Sequence, residues 1–348
     1  MTLTVPKLSL VVLVGPSGSG KSTFAARHFL PTEVVSSDVC RGLVADDPND
    51  QTATPDAFEV LHFLVAKRLA RGRLTVVDAT NVQPDARAPL VSLAKRYHCL
   101  PVAIVLDLPE AVCQERNRGR ADRAFGPHVI RNQANQLRRS FKGLKREGFR
   151  QIHVLDSPEA VEAAVVERVL LWTDKSHERG PFDLIGDVHG CADELEQLLE
   201  RLGYAKVAVP EDSPGWGTTS YAHPAGRKAV FVGDLVDRGP RVLDVVRIVR
   251  NMVRDGSALC VPGNHDIKLL KKLRGRDVSI THGLAETLAE IDAVPSEIRE
   301  PFTRSLAEFL DGLVGHFVLD GGNLVVAHAG LKQDMHGRAS ARVRDFAL

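Results

Sequence analysis

Apolar runs and amphipathic periods alternate along the first part of this chain. The runs Leu8–Val14, Glu33–Ser36, Leu74–Val77, Val102–Leu106 and Ile152–Leu155 read as buried strands. Helical periods lie between and after them, at Lys21–Phe29, Pro55–Leu69, Pro84–Tyr97, Glu110–Arg118, His128–Arg146 and Glu159–Leu170. Strands that alternate with helices predict a parallel sheet covered on both faces. The pattern lapses at Thr173–Pro181, a polar stretch ending in Gly-Pro that reads as an interdomain linker. A second series follows: strand Phe182–Ile185, helix Asp193–Leu202, strand Ala229–Val232, helix Val242–Val253 and strand Ala258–Val261. The insert Pro210–Arg227 is rich in Gly, Pro and Ser and is expected to be an exposed loop. No internal repeat or low-complexity tract interrupts either series.

Length agrees with two series: 348 residues exceed what one core usually spans. With 44% hydrophobic and 26% charged residues, the composition is that of a globular protein rather than a disordered or fibrous one. Leu8–Val14 falls far short of the ~20 apolar residues of a membrane helix. The N-terminus has no basic region and no small-residue cleavage site, so no signal peptide is expected. Cys40, Cys99, Cys113, Cys191 and Cys260 are odd in number and scattered, which argues against a disulfide framework and for a reducing, cytoplasmic setting. The net charge of +1 gives no global pull toward nucleic acid. Locally, residues 107–150 carry 11 Lys/Arg against 5 Asp/Glu, either a solvated helix face or an anion-binding one.

The first chemical constellation is Gly15-Pro-Ser17-Gly18-Ser19-Gly20-Lys21-Ser22-Thr23, between a strand and a helix. It fits G-x-x-x-x-G-K-S/T, in which the backbone curls round phosphate oxygens, Lys21 reaches the β/γ-phosphates and Ser22 carries Mg²⁺. Asp38, just past the second strand, stands where it could accept a proton from an acceptor hydroxyl or simply cap the next helix. Arg41, one turn on, could hold an acceptor phosphate. Asp78 ends a strand as a Walker-B-like carboxylate. Arg116, Arg120 and Arg123 share one helical face, from which guanidinium groups can close over a transferring phosphoryl. Together these residues point to phosphoryl transfer from ATP.

The second constellation is Gly186-Asp187-Val-His189-Gly190, Gly233-Asp234-Leu-Val-Asp237-Arg238-Gly239, Gly263-Asn264-His265-Asp266 and His328-Ala-Gly330. Each follows an apolar run, so all four project polar side chains from one rim of a sheet. Asp, His and Asn suit divalent metals, and a carboxylate shared by two ions lets them clamp a phosphate and activate water. Arg238 is a candidate phosphate contact. His265 could protonate a leaving oxygen while Asp237 orients it.

The second series resembles the calcineurin-like binuclear metallophosphoesterases. That resemblance implies metal one on Asp187, His189 and Asp234, and metal two on Asp234, Asn264 and His328. Preceded by a P-loop kinase bearing Asp38, Arg41 and the Arg116/Arg120 lid, with Arg123 beside the nucleotide, the whole chain is similar to the bacterial polynucleotide kinase-phosphatases of RNA repair. The implied fold is a P-loop NTPase parallel sheet with helices on both faces (1–172), a linker (173–181) and a calcineurin-like α/β sandwich (182–348). The implied activities are 5′-OH phosphorylation and removal of 3′-phosphate or 2′,3′-cyclic phosphate. Implied cofactors are ATP with Mg²⁺ and two divalent metals, with Mn²⁺ expected. Implied partners are RNA or DNA ends, a ligase or 3′-terminal RNA ribose methyltransferase, and a second copy of the chain, with no membrane. The family carries a further metal-two histidine downstream of His-Ala-Gly, and usually a ligase domain. Here the sequence ends at Leu348 and His336 stands in a different setting, so an incomplete, impaired phosphatase is the expectation.

Two other readings keep these residues. One is a small-molecule kinase joined to a protein or dinucleotide phosphatase. The other is a non-catalytic nucleotide-dependent binding module, against which the intact Lys21, Ser22 and Asp38 argue.

Overall fold

Three strands of the first half, β1 (Thr2–Pro6), β2 (Ser9–Val14) and β3 (Val34–Ser36), are followed by β4 (Thr75–Asp78), β5 (Leu100–Leu106) and β6 (Gln151–Leu155). The structure, a computed structural model, describes residues 1–119 and 125–348, so Arg120 and Arg123 lie outside the described residues. Strands β2 to β6 form one parallel sheet in the order β3-β4-β2-β5-β6. β2 and β5 are buried along their whole length, which explains why both read as continuous apolar runs with no alternation. Successive residues still point to opposite faces. Leu10, Val12, Val14, Val77 and Ala103 pack with Leu61, Val65 and Leu90, whereas Val11, Leu13, Val76 and Ile104 pack with Phe24, Phe29 and Leu3. Each such side chain contributes roughly 1.5–3 kcal/mol relative to exposure.

The expected helix Glu159–Leu170 is not what forms. A short helix, Pro158–Glu162, is capped by Ser157 Oγ and gives way to β7 (Val165–Val169), which pairs in parallel with β1. β-Branched Val165, Val166 and Val169 favour the extended chain, and β1 offers the partner. The expected helix His128–Arg146 is likewise two helices, Pro127–Ser140 and Leu144–Glu147, joined by the 3₁₀ turn Phe141–Gly143.

Residues Met1–Leu171 with Arg338–Ser340 make one unit, and Trp172–Gly337 with Ala341–Leu348 make another. In the second, β8 (Phe182–Ile185) is followed by β9 (Ala205–Ala208), β10 (Thr219–Ala222), β11 (Lys228–Phe231), β12 (Ala258–Cys260), β13 (His316–Leu319) and β14 (Leu324–Ala327). A parallel sheet of order β12-β11-β8 lies between helices on one face and the antiparallel pair β13-β14 on the other. Ala229 and Phe231 face the helices, and Val230 faces Phe317, Leu319 and Val326.

The stretch Thr173–Pro181 lies just past the boundary between the units and is hydrogen-bonded within the second, where Thr173 O and Glu178 O accept the N–H groups of Val318 and Asp320, both at 2.8 Å. One expectation needs correction. The insert Pro210–Arg227 is not an exposed loop. β10 pairs with β9, and Trp216 and Tyr221 are fully buried. Trp216 Nε1 donates to Ser305 Oγ at 3.0 Å, its ring packs on Phe302, and Arg250 stacks over it. Trp216→Ala should therefore lower the stability of the second unit by about 3–5 kcal/mol, read as an earlier urea midpoint for that unit. A change below 1 kcal/mol would mean the insert is dispensable to the core.

Candidate active sites

The carboxyl ends of β2, β3 and β4 carry the first site. β2 runs into the glycine loop, β3 into the helix Ser37–Ala45, and β4 ends on Asp78, which pairs in register with Ser36. Ser17, Gly18, Gly20, Lys21, Ser22, Asp38 and Asp78 line one cleft. Gly18 has φ +83, and a Cβ there would lie 2.2 Å from the Cys113 carbonyl oxygen, so the tight loop requires glycine. Lys21 is 8% exposed and its Nζ donates to the carbonyls of Gly15 and Pro16 at 2.8 and 2.9 Å. Ser19 is buried with its Oγ unpartnered, whereas Ser17 N donates to Gln133 Oε1 at 2.8 Å. Gln133, on the helix Pro127–Ser140, was not legible as a loop-holding residue. Neither was Arg87, fully buried, which donates to Glu147 through two nitrogens and to Asn81 O, fixing the turn after β4.

Asp38 sits inside the first turn of its helix, and the capping position is Ser36, so the simple N-cap alternative for Asp38 does not hold. Its carboxylate is partly exposed and pairs with Arg41 at 2.8 Å. Arg41 is buried and also donates to Pro48 O, so it holds Asp38 in place as well as carrying positive charge to the cleft. Arg116, on the helix Glu110–Arg118, lines an adjoining open pocket with Gly18, Gly20, Thr23, Phe24 and Arg27.

The second site lies on the rim of β8, β11 and β12. Asp187 and His189 follow β8, Asp234 to Arg238 follow β11, Asn264 and His265 follow β12, and His328 follows β14. His189, Asp234, Asp237 and Arg238 have φ of 45, 50, 71 and 69°, a run of non-glycine residues in the left-handed region at one turn system. The imidazoles are oriented from behind. His189 Nδ1 meets Val236 O and His328 Nδ1 meets Val232 O, both at 2.8 Å, and a carbonyl can only accept. In the neutral rings each Nε2 therefore presents a lone pair. They stand 3.7 and 3.6 Å from Asp234 Oδ2, and His328 Nε2 is 3.1 Å from Asn264 Oδ1. His189 Nε2 is buried with no hydrogen-bond partner.

With neutral imidazoles, two lone pairs, a buried carboxylate and an amide oxygen face one another, an arrangement that a divalent cation would satisfy. The ligand atoms of Asp187, Asp234 and His328 lie within 4.8 Å of one another, as do those of His189, Asp234 and His265. This N/O donor set fits divalent metal ions. His265 Nδ1 is 2.7 Å from Asp237 Oδ2, and its Nε2 is 3.4 Å from Arg238 Nη2. Asp266, fully buried, accepts from Gly263 N and Leu235 N and so ties two of the turns together. Burial pushes its carboxyl up to about 6. His336 Nε2 meets Leu331 O, outside both ligand groups.

Known proteins divide the chain in the same way. Residues 10–144 match the family described as AAA domain, and residues 180–344 match the calcineurin-like phosphoesterases. The bis(5′-nucleosyl)-tetraphosphatase PrpE (asymmetrical) of Halalkalibacterium halodurans is 41% identical over 167 residues, 48% of this chain and 64% of the relative. Its namesake in Geobacillus thermodenitrificans is 43% identical over 166 residues, with the same shares. The chain thus spans 64% of the length of these curated relatives. Among solved structures, a chain of the Pnkp1/Rnl/Hen1 RNA repair complex is 15% identical with a TM-score of 0.35, covering 87% of this chain and 94% of that one. A gluconokinase from Sinorhizobium meliloti is 18% identical with a TM-score of 0.31, covering 45% of this chain and 90% of that one. Among the described residues no helix is long and apolar enough to cross a membrane. This chain joins an N-terminal α/β P-loop-like domain to a calcineurin-like α/β metallophosphoesterase domain.

Proposed function

We propose that the chain combines an ATP-dependent kinase for a nucleotide or small-molecule hydroxyl with a metal-dependent hydrolase of dinucleoside polyphosphates. The observation that carries the hydrolase is the convergence of two imidazole lone pairs and an amide oxygen around buried Asp234. The substrate class rests on the 41–43% identity to the tetraphosphatases over the same segment. Asp187, His189, Asp234, Asn264 and His328 would hold the metals, which supply Lewis acidity and a water nucleophile. Arg238, exposed at the rim, binds phosphate oxygens. One phosphoanhydride bond breaks, water supplies the new oxygen, and doubly protonated His265 gives its Nε2 proton to the departing oxygen while Asp237 accepts from its Nδ1–H.

In the first domain, the glycine loop and Lys21 grip the triphosphate, with Ser22 and Asp78 as Mg²⁺ ligands, and Asp38 accepts the acceptor's hydroxyl proton. Asp38→Asn keeps an oxygen for Arg41 but loses that basicity. Turnover should fall about 10²–10⁴-fold, with ATP affinity within threefold, as checked by transfer assays beside nucleotide titration. Near wild-type turnover would remove Asp38 from the base role.

A second reading, 5′-OH polynucleotide phosphorylation with 3′-end phosphate removal, is favoured by exposed Arg116 and Arg118 on one helix and Arg131, Arg138 and Arg139 on another of the basic stretch. Ligase or methyltransferase partners and a dimer go with that reading. An acceptor panel of nucleosides, sugars and 5′-OH RNA and DNA oligonucleotides, run with labelled ATP at low and high salt, separates the two. Transfer to small acceptors that is insensitive to salt supports the first, and oligonucleotide transfer falling steeply with salt supports the second.

A further inference from the structure

The helix Leu284–Asp292 contributes none of the motif residues, yet it grips the Asp234–Leu243 segment at three points. At its start, a Cβ on Gly283 (φ +93) would lie 2.2 Å from Arg238 N, so the helix abuts the Arg238 backbone. At its end, Glu290 accepts the N–H groups of Val242 and Leu243 at 2.9 and 3.0 Å and caps the next helix. Between them stands Thr287, fully buried. Its Oγ1 donates to Asp237 Oδ1 at 2.7 Å and accepts from Asp237 N at 3.2 Å. The alternative acceptor one turn back, Gly283 O, is 3.3 Å away, and the ionised carboxylate is the stronger partner.

Asp237 is itself fully buried, and its other oxygen faces His265 Nδ1 at 2.7 Å. A buried carboxylate with one oxygen on His265 and nothing on the other could turn about its χ2 torsion and carry the imidazole with it. The hydroxyl removes that freedom, and the Thr methyl restricts the hydroxyl's own rotamer. We propose that Thr287 is a positioning residue that acts through Asp237 to fix the ring orientation of His265 and its Nδ1–H bond to Asp237, leaving Nε2 directed at the substrate. The inference rests on the hydrolase reading of this site for its catalytic consequence, but not for its structural content.

The test compares Thr287→Val, which keeps the shape and loses the hydroxyl, with Thr287→Ser, which keeps the hydroxyl. The direct readout is the long-range ¹H–¹⁵N spectrum of the histidine rings in the full chain, with His265 assigned by its loss in His265→Asn. The wild type should show a His265 Nδ1–H that exchanges slowly with water. Thr287→Val should speed that exchange at least tenfold, and Thr287→Ser should recover most of the protection. In diadenosine tetraphosphate hydrolysis, Thr287→Val should lower kcat about 10–100-fold with KM within twofold, and Ser should restore most of it. If the Val chain does not fold, Thr287→Ala is read in the same way. An unchanged His265 spectrum in the Val or Ala variant overturns the proposal. A wild type that shows the protected proton but hydrolyses no dinucleotide overturns the substrate reading and leaves the positioning role standing.

Discussion

Asp234→Asn should abolish phosphoesterase activity, by about 10³-fold or more, while leaving the kinase untouched. Asp234 Oδ2 lies 3.7 and 3.6 Å from the Nε2 atoms of His189 and His328 and belongs to both ligand groups, so the substitution takes a negative charge from both prospective metal positions. Metal ions stabilise transition-state charge by several kcal/mol, and each 1.36 kcal/mol is tenfold in rate. The fold should survive. Asp234 Oδ1 accepts His265 N at 3.0 Å, a bond that an amide oxygen also makes. The new NH₂ would face two lone pairs where the carboxylate oxygen now repels them, so the metal-free variant should melt no lower than the wild type. Hydrolysis assays, calorimetric metal titration and a thermal melt check the three statements. Retained tight binding of two metals by Asp234→Asn would refute its bridging role.

Lys21→Ala should remove kinase activity with a loss of similar size, and for a different reason. The ammonium is nearly buried beneath the loop, donating to Gly15 O and Pro16 O. Its replacement removes the positive charge from the phosphate cradle and two bonds that hold the loop's curl. Nucleotide affinity and turnover should therefore both fall, unlike Asp38→Asn, in which turnover alone falls. The hydrolase in the second unit should be unaffected. Nucleotide titration and ATP-to-acceptor transfer are the checks, and wild-type nucleotide affinity in Lys21→Ala would contradict the phosphate-binding role.

Much of this architecture is legible in the sequence for a physical reason. In a parallel sheet buried on both faces, strands such as β2 become unbroken apolar runs, and the chemistry collects at their carboxyl ends. Gly15–Ser22, Asp234–Arg238 and Asn264–His265 follow such runs, whereas Asp187–His189 follows the edge strand β8, which includes Asp183 and exposes Leu184. Where two local preferences competed, the pattern was less informative. Val161, Val165 and Val169 recur at a spacing that also suits a helix, and only pairing with Thr2–Pro6, far away in sequence, makes Val165–Val169 a strand. The Gly- and Pro-rich insert concealed Trp216 and Tyr221, because two isolated aromatics create no periodicity. The supporting residues of the sites were the least legible. Gln133, Arg87, Thr287 and Glu290 act across 48 to 116 residues of sequence, through single hydrogen bonds or ion pairs that leave no local signature.

Chromatographic separation of the products formed from diadenosine tetraphosphate, with Mn²⁺ or Mg²⁺ present, tests most directly the proposal that the second half hydrolyses dinucleoside polyphosphates at a metal centre organised by Asp234. The wild type should yield ATP and AMP in equal amounts, a chelator should stop the reaction, and Asp234→Asn should leave the dinucleotide intact. An intact dinucleotide with metal-loaded wild-type protein, or equal cleavage by wild type and Asp234→Asn, would contradict it.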